Sequence, residues 1–565
     1  MRWRLSPLLV TVASVSLVAL ACSSAGSTGT STPGDVGGSS GAGGGAGSID
    51  PGTGGSGETG GSIQVGGQGG SGTSVDDPVT CDEAAARRTY VGCDYWPTVT
   101  TNAVSSVFDY AVVVANSGAT DATVTVTRGD ASIGQTTVAA GTLKKLYLPW
   151  VPELKGPDNT CGSPKPMASN VGVKGGAYHL VSDVPVVVYQ FSALEYQGKG
   201  GPPGKDWSKC ASCGGVGDAF GCYSYTNDAS LLLPSTALTG NYRLAVPRGA
   251  PFPVLPQYSM GAYFAVTGTV DNTHVKVQLS GTAQLFAGAG LAAAKAGEVV
   301  SFTLNRGDVI ELASPAEADL SGSQLQADKP VQVIGGIPCS TTDGASACDH
   351  MEESLPPAET LGQHYLVASP TGPNGDAPGQ VVRLHGNVDN TQLTYLGSPP
   401  AGAPATINAG QVIDLGVVKA PFEVTGSAAF LIAVFQQGGS VVDPQADENA
   451  SSRGDPAMSL PTPVEQFRSS YVFLAPDDYE VSYADILVPD GATVQLDGKP
   501  LSAPLSPISP GFSIARAELP ATGAHTLTAS APVDLQVMGY GAYTSYQYPG
   551  GLNLRTIAPP PPPIQ

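Results

Sequence analysis

The sequence predicts an all-β protein: about four tandem β-sandwich-like units carried behind a disordered, Gly- and Ser-rich tether. Three observations support that expectation. Charged residues are only 13% of the chain, which holds 73 glycines and 48 prolines, a balance suited to short strands joined by turns. Short runs of alternating Thr, Val and Leu recur between turn signals at a spacing of roughly 8–12 residues. Long motifs also return in the same order along the chain, the mark of duplicated units.

The tether and its address come first. "MRWR" is a basic start, "LSPLLVTVASVSLVAL" an apolar stretch too short for a typical membrane span, and "ALAC" brings small residues up to Cys22. Residues 1–21 therefore read as an export signal, and they resemble a bacterial lipoprotein signal with Cys22 as the lipid-bearing residue. Ala19 stands where such signals usually carry Leu, so ordinary secretion is the alternative. Residues 22–80 form the linker, nearly all Gly, Ser and Thr as far as Ser74. Such a segment buries too little apolar surface to offset its ordering entropy. Its random-coil reach is roughly 40 Å.

The 565 residues leave room for about four domains at roughly 150 residues each. A net charge of −21, with no basic cluster, disfavours nucleic acid and anionic lipid surfaces as partners. Beyond Cys22 the cysteines are Cys81, Cys93, Cys161, Cys210, Cys213, Cys222, Cys339 and Cys348. An even set in an exported chain predicts disulfides. Cys81–Cys93 and Cys339–Cys348 are the expected local pairs, and the order among the other four stays open. "CASC" at Cys210 could instead start a zinc site, but a lone C-x-x-C favours disulfides.

The units follow from the repeats. "LLLPSTALTGNYRLAVP" (from Leu231), "SLPPAETLGQHYLVASP" (from Ser354) and "MSLPTPVEQFRSSYVFLAP" (from Met458) align. A fainter first copy is read in "YWPTVTTNAVSSVFDYAVVVA" from Tyr95. Each has a proline (Pro97, Pro234, Pro356, Pro461) ahead of a tyrosine (Tyr110, Tyr242, Tyr365, Tyr471) that opens an apolar strand. "VDNTHVKVQLSG" (from Val270) returns as "VDNTQLTYLGS" (from Val388), a turn leading into a strand. A later apolar strand recurs as "SDVPVVVYQF", "ADKPVQVIGG", "GSAAFLIAVFQQ" and "SAPVDLQVMGYG", with proline expected at the strand start. The unit boundaries are set at 81–226, 227–351, 352–454 and 455–548, followed by a solvated Pro-rich tail, 549–565. "CDEAAARRTY" is the one convincing short helix.

"VSDVPVVVYQFSAL", "TNDASLLLPSTALTGNYRLAV" and "CDHMEESLPPAETLGQHYLVA", in this order, resemble the IgGFc-binding protein N-terminal domain family. That family includes the N-terminal region of a mucus Fc-gamma-binding protein and bacterial lipoproteins. The resemblance runs from about Phe108 to Tyr548. It implies the fold and an extracellular binding role, without defined Fc-contact residues to carry over.

Candidate sites are weighed against plainer readings. His350, Glu352 and Glu353 suggest a metal or acid–base centre, yet H-x-x-E lacks a second histidine. The set is read instead as a capped turn beside the Cys339–Cys348 loop. Asp271, Asn272, Asp389 and Asn390 could bind calcium, but Asx residues are the preferred residues of tight turns. "GAGLAA" at Gly288 and "GGSSG" at Gly37 lack the strand and helix that a nucleotide or hydrolase motif needs. Tyr540, Tyr543, Tyr546 and Tyr548 form a possible binding row. The expected function is extracellular binding or adhesion to a protein or glycan, with no catalytic, metal or cofactor site. The alternative is an exported hydrolase with a site assembled from loops near His350.

Overall fold

The computed structural model describes residues 77–158, 165, 167–210, 222–251, 259–342, 348–444, 452–477, 479–520 and 523–565. Cys22, the signal and most of the tether lie outside them, as do Cys161 and Cys213. Disulfides join Cys81 to Cys93, Cys210 to Cys222 and Cys339 to Cys348.

Four copies of one topology make up the fold, each an inner and an outer antiparallel sheet. In the second unit the inner sheet runs Asp349–Ser354, Val331–Ser340, Tyr263–Gly268, Val309–Ala313. Its outer sheet runs Val299–Leu304, Thr273–Gln278, Gln324–Ala327, Asn241–Arg243. The third unit repeats this with Gln380–Gly386 and Phe430–Gln436 inside, Thr391–Leu396 and Phe422–Gly426 outside. In the first and fourth units the strand that spans both sheets is unbroken: Tyr178–Phe191 and Gly523–Gly541. These pass through Pro185 and Pro532 where they change sheets, so those prolines mark a mid-strand switch rather than the expected strand start. There the ladder partners change, from Val124↔Ser182 to Val187↔Ala115 in the first unit, and Pro has no N–H to lose.

One tyrosine fixes each switch point. The hydroxyls of Tyr95, Tyr242, Tyr365 and Tyr471 donate to the carbonyls of Val186, Val331, Phe430 and Val533, at 2.7, 2.5, 2.8 and 2.5 Å. All four rings are buried. The first copy of the repeat therefore centres on Tyr95, not Tyr110 as alignment suggested. Tyr110 opens an inner strand instead, Tyr110–Asn116.

Between units the chain runs through a short axial strand: Ala229–Leu231, Asp349–Ser354, Met458–Ser459 and Thr544–Pro549. Each completes the inner sheet of the unit before it. The sandwiches therefore change over after these strands, not at 227, 352 and 455, because the repeated motif straddles two sheets. The four axial strands touch in a cycle, first to second, second to third, third to fourth and fourth to first. The cores run between units as well: one joins Val113 and Tyr189 to Phe473 and Ile486, another Leu244 and Val333 to Leu431 and Phe435. The units form one ring of shared cores, and burial of this apolar surface is the main force holding them together.

Both ends of the chain close the ring. Tyr90 N donates to Leu552 O at 3.2 Å and Leu554 N to Arg88 O at 2.8 Å. The Cys81–Arg87 helix, capped by the Thr80 hydroxyl, leads into this seam. The Pro-rich tail docks rather than standing in solvent. Gln324 and Gln326 donate their side-chain N–H groups to Pro562 O at 2.6 and 3.2 Å, and Ile564 is buried. Five consecutive prolines hold an extended, low-entropy backbone whose carbonyls remain free to accept.

Candidate binding face

The His350 stretch is neither an open centre nor a turn. Asp349–Ser354 is an axial strand with every residue buried. A strand here must cross the middle of the ring, so its side chains meet the other three axial strands instead of water. Glu352 accepts from Thr100 Oγ1 at 2.5 Å, Gln190 Nε2 at 2.9 Å and Ser230 Oγ at 3.3 Å. His350 Nε2 lies 3.4 Å from Glu352 Oε2, and its Nδ1 has no protein partner. Asp228 accepts from the backbone N–H groups of Ala229, Glu352 and Met458, tying three axial strands at one carboxyl.

This axis is rich in buried acids. Burial pushes the Asp228, Asp349, Glu353 and Asp455 carboxyls well above the ordinary range, and mutual repulsion adds to it for Asp349, beside Asp455 and Asp228. They hold protons. Among the described residues no group of three or more His, Cys, Asp or Glu is placed to hold a metal ion. The cavity beside Glu353 measures about 30 Å³ and is lined by Leu231, Leu431, Leu460 and Leu552. That admits about one water molecule.

Asp271 and Asp389 accept from the backbone of Arg306 and Ala409, while Asn272 and Asn390 stand at φ 53 and 56. These are turn residues, each aspartate holding the backbone of a facing loop and each asparagine in the left-handed region, as their types predict.

The tyrosine row does not form. Tyr540, Tyr546 and Tyr548 are 2%, 0% and 0% exposed, and their hydroxyls reach Thr371 O, Ser482 Oγ and Leu474 O. Strand alternation sends one face of this segment into its own sandwich and the other against the third unit, so neither is left to solvent. Tyr543 differs. It is half-buried at the turn 542–543, with φ 55.

That turn sits at one end of the axis, where every unit returns from its inner sheet to its axial strand. The four returns are 192–228, 341–348, 437–457 and 542–543. Their lengths vary widely while the strands around them repeat. The first carries Cys210–Cys222 and the second ends at Cys348. Half-buried Tyr223 and Tyr225 lie in the first, Tyr225 again at φ 55. The buried ring of Tyr196 packs on Tyr223 at 5.1 Å, and its hydroxyl donates to Ala542 O at 2.7 Å. Tyr223 and Tyr225 therefore form one aromatic patch with Tyr196, which is tied by its hydroxyl to the residue before Tyr543. Sequence reasoning found only Tyr543; strained bulky residues carry no local signature beyond ordinary turns.

The model of a family described as IgGFc binding protein matches residues 228–539. The human protein named IgGFc-binding protein is 28% identical over 214 residues, 38% of this chain but 4% of that protein's length. The disulfides and this relationship point to an extracellular binding module, and no helix among the described residues is long and apolar enough to cross a membrane. With more than half of its length matched, the chain belongs to the IgGFc binding protein family.

Proposed function

We propose that this chain is a non-catalytic binding module, held at the cell exterior by a lipid on Cys22, that grips a protein or glycan with the loop end of its ring. The observation that carries this reading is the pair Tyr225 and Tyr543. Both are bulky residues in the left-handed backbone region, which costs on the order of 1–3 kcal/mol each and persists where a site needs it. They sit on two variable-length returns, linked through Tyr223, Tyr196 and Ala542 O, above a repeated scaffold, where recognition surfaces of repeat proteins are commonly built. Half-exposed tyrosines supply large contact area at low entropic cost. The hydrolase alternative is disfavoured because His350 and its neighbouring acids are sealed in the axis.

Capture by immobilised residues 75–565 from mucus polymers, surface glycans and immunoglobulin Fc tests the reading. The Fc arm is included for the human relative's name. A Tyr225→Ala, Tyr543→Ala double variant is expected to weaken capture at least tenfold with an unchanged heating midpoint; full capture by that variant would refute the face. Metabolic palmitate labelling is expected in the wild type and absent in Cys22→Ser. Labelling of both would remove the lipid assignment.

A further inference from the structure

The interface between the second and third units buries an arginine from each side, Arg243 and Arg383. Inner-sheet residues facing the neighbouring unit are Ala111, Val113 and Ala115 in the first unit. At the third unit they are Val381, Arg383 and His385, with Asn387 continuing the i, i+2 spacing of one strand face. Arg243 of the second unit faces them. All four polar residues are at most 4% exposed.

Their hydrogen-bonding capacity is far from met. Arg243 donates to Gly322 O at 2.8 Å, Gln324 Oε1 at 3.3 Å and Asn387 O at 3.5 Å, and no carboxylate among the described residues forms an ion pair with it. Arg383 donates to Val246 O at 3.2 Å and Ser321 Oγ at 3.3 Å and pairs with Asp319, with Asp414 3.9 Å from its Nε. The two guanidinium groups thus rest on the adjacent residues Ser321 and Gly322. Yet Arg243 Nε, Arg383 Nε, both ring nitrogens of His385 and both amide atoms of Asn387 make no protein hydrogen bond, Arg383 Nε having only the distant Asp414 carboxylate. Buried polar atoms left bare cost roughly 1–3 kcal/mol each, more near a charge. Six bare atoms in one junction, four of them guanidinium Nε–H donors or imidazole nitrogens, call for an occupant, with Asp389 near Arg243 and Asp319 on Arg383 as the acids facing them.

We propose that this junction binds one small inorganic anion of halide size between Arg243, Arg383, His385 and Asn387. The donors are the two guanidinium Nε–H groups, one imidazole N–H and the Asn387 amide N–H. The bare acceptors, the second imidazole nitrogen and Asn387 Oδ1, are met by accompanying water. Arg243 and Arg383 both depress the basicity of His385, and burial does so more strongly, so the imidazole is neutral and offers a single N–H. The anion accepts from donors of both units and so ties the two units of the ring together.

The test compares heating midpoints of the purified full chain in sodium chloride, sodium bromide and sodium methanesulfonate at equal ionic strength and pH. The two halides are expected to raise the midpoint by several degrees over methanesulfonate, with saturation. Asn387→Asp places a carboxylate opposite Arg243 and is expected to abolish the halide increment while keeping a folded protein in methanesulfonate. Bromide-exchanged crystals should show an anomalous peak within hydrogen-bonding reach of Arg243. Equal wild-type midpoints in all three salts, or a bromide crystal with water alone at the cluster, would overturn the proposal.

Discussion

Raising the pH from about 5 to about 9 is expected to lower the heating midpoint of this protein, the reverse of the behaviour of domains held by surface ion pairs. Eight buried carboxyls are responsible: Glu195, Asp228, Glu311, Asp349, Glu353, Asp455, Asp485 and Asp534 are all raised, in each case first by burial. Glu195 and Glu311 are pushed up to about 8 and Asp534 to about 7. The folded state therefore binds more protons than the unfolded chain. The stability linked to these groups is complete below the unfolded value of roughly 4 and is lost as pH climbs through the folded values. For Glu311 alone, fully buried and hydrogen-bonded by Thr101, the loss is on the order of 5 kcal/mol once pH passes the folded value. The half-exposed acids Asp158 and Asp497 are lowered, despite partial burial, by hydrogen bonds and cations, and their contribution disappears only on the acid side. Calorimetry across this range should place the highest midpoint on the acid side of neutral. Glu311→Gln should flatten the alkaline fall, and a midpoint that rises steadily to pH 9 would refute the assignment.

Arg468→Met is expected to destabilise the ring by about 3–5 kcal/mol, the usual cost of breaking a buried ion pair. Arg468 is fully buried at the seam between the fourth and first units. Its Nη1 donates to Asn553 Oδ1 at 2.7 Å, its Nη2 pairs with Asp77, and its guanidinium lies 5.0 Å from the Tyr90 ring centroid. One side chain thus joins the entry segment, the last segment and the fourth unit. Removing it leaves Asp77 and Asn553 facing a buried apolar stub. Arg468→Lys keeps the charge but cannot serve these directions with one ammonium, and should recover less than half of the loss. Urea unfolding provides the measurement; a change below about 1 kcal/mol in Arg468→Met would show that the apolar core alone closes the ring.

Local sequence was enough for the all-β class, the Cys81–Arg87 helix and the Asx turns at Asn272 and Asn390. Each depends on residues within a few positions of one another: strand alternation, a capping threonine, a left-handed turn residue. It misread Tyr540, Tyr546 and Tyr548 because alternation identifies a strand's two faces but not whether a neighbouring unit covers the second. It misread His350 for a related reason. A polar run looks like surface unless three other strands, each more than a hundred residues away or nearly so, converge on it.

What the sequence determined by itself is the repeated unit, since its pattern of tyrosine, turn and apolar strand is written in consecutive residues. What only the tertiary structure decided is the closure. The fourth junction joins Thr544–Pro549 to Ala229–Leu231, and Leu552 and Leu554 to Tyr90 and Arg88, so no contiguous stretch spells it out. The acids of the axis are raised above their ordinary range only because closure brings four separate strands together and excludes the water that favours their ionised form.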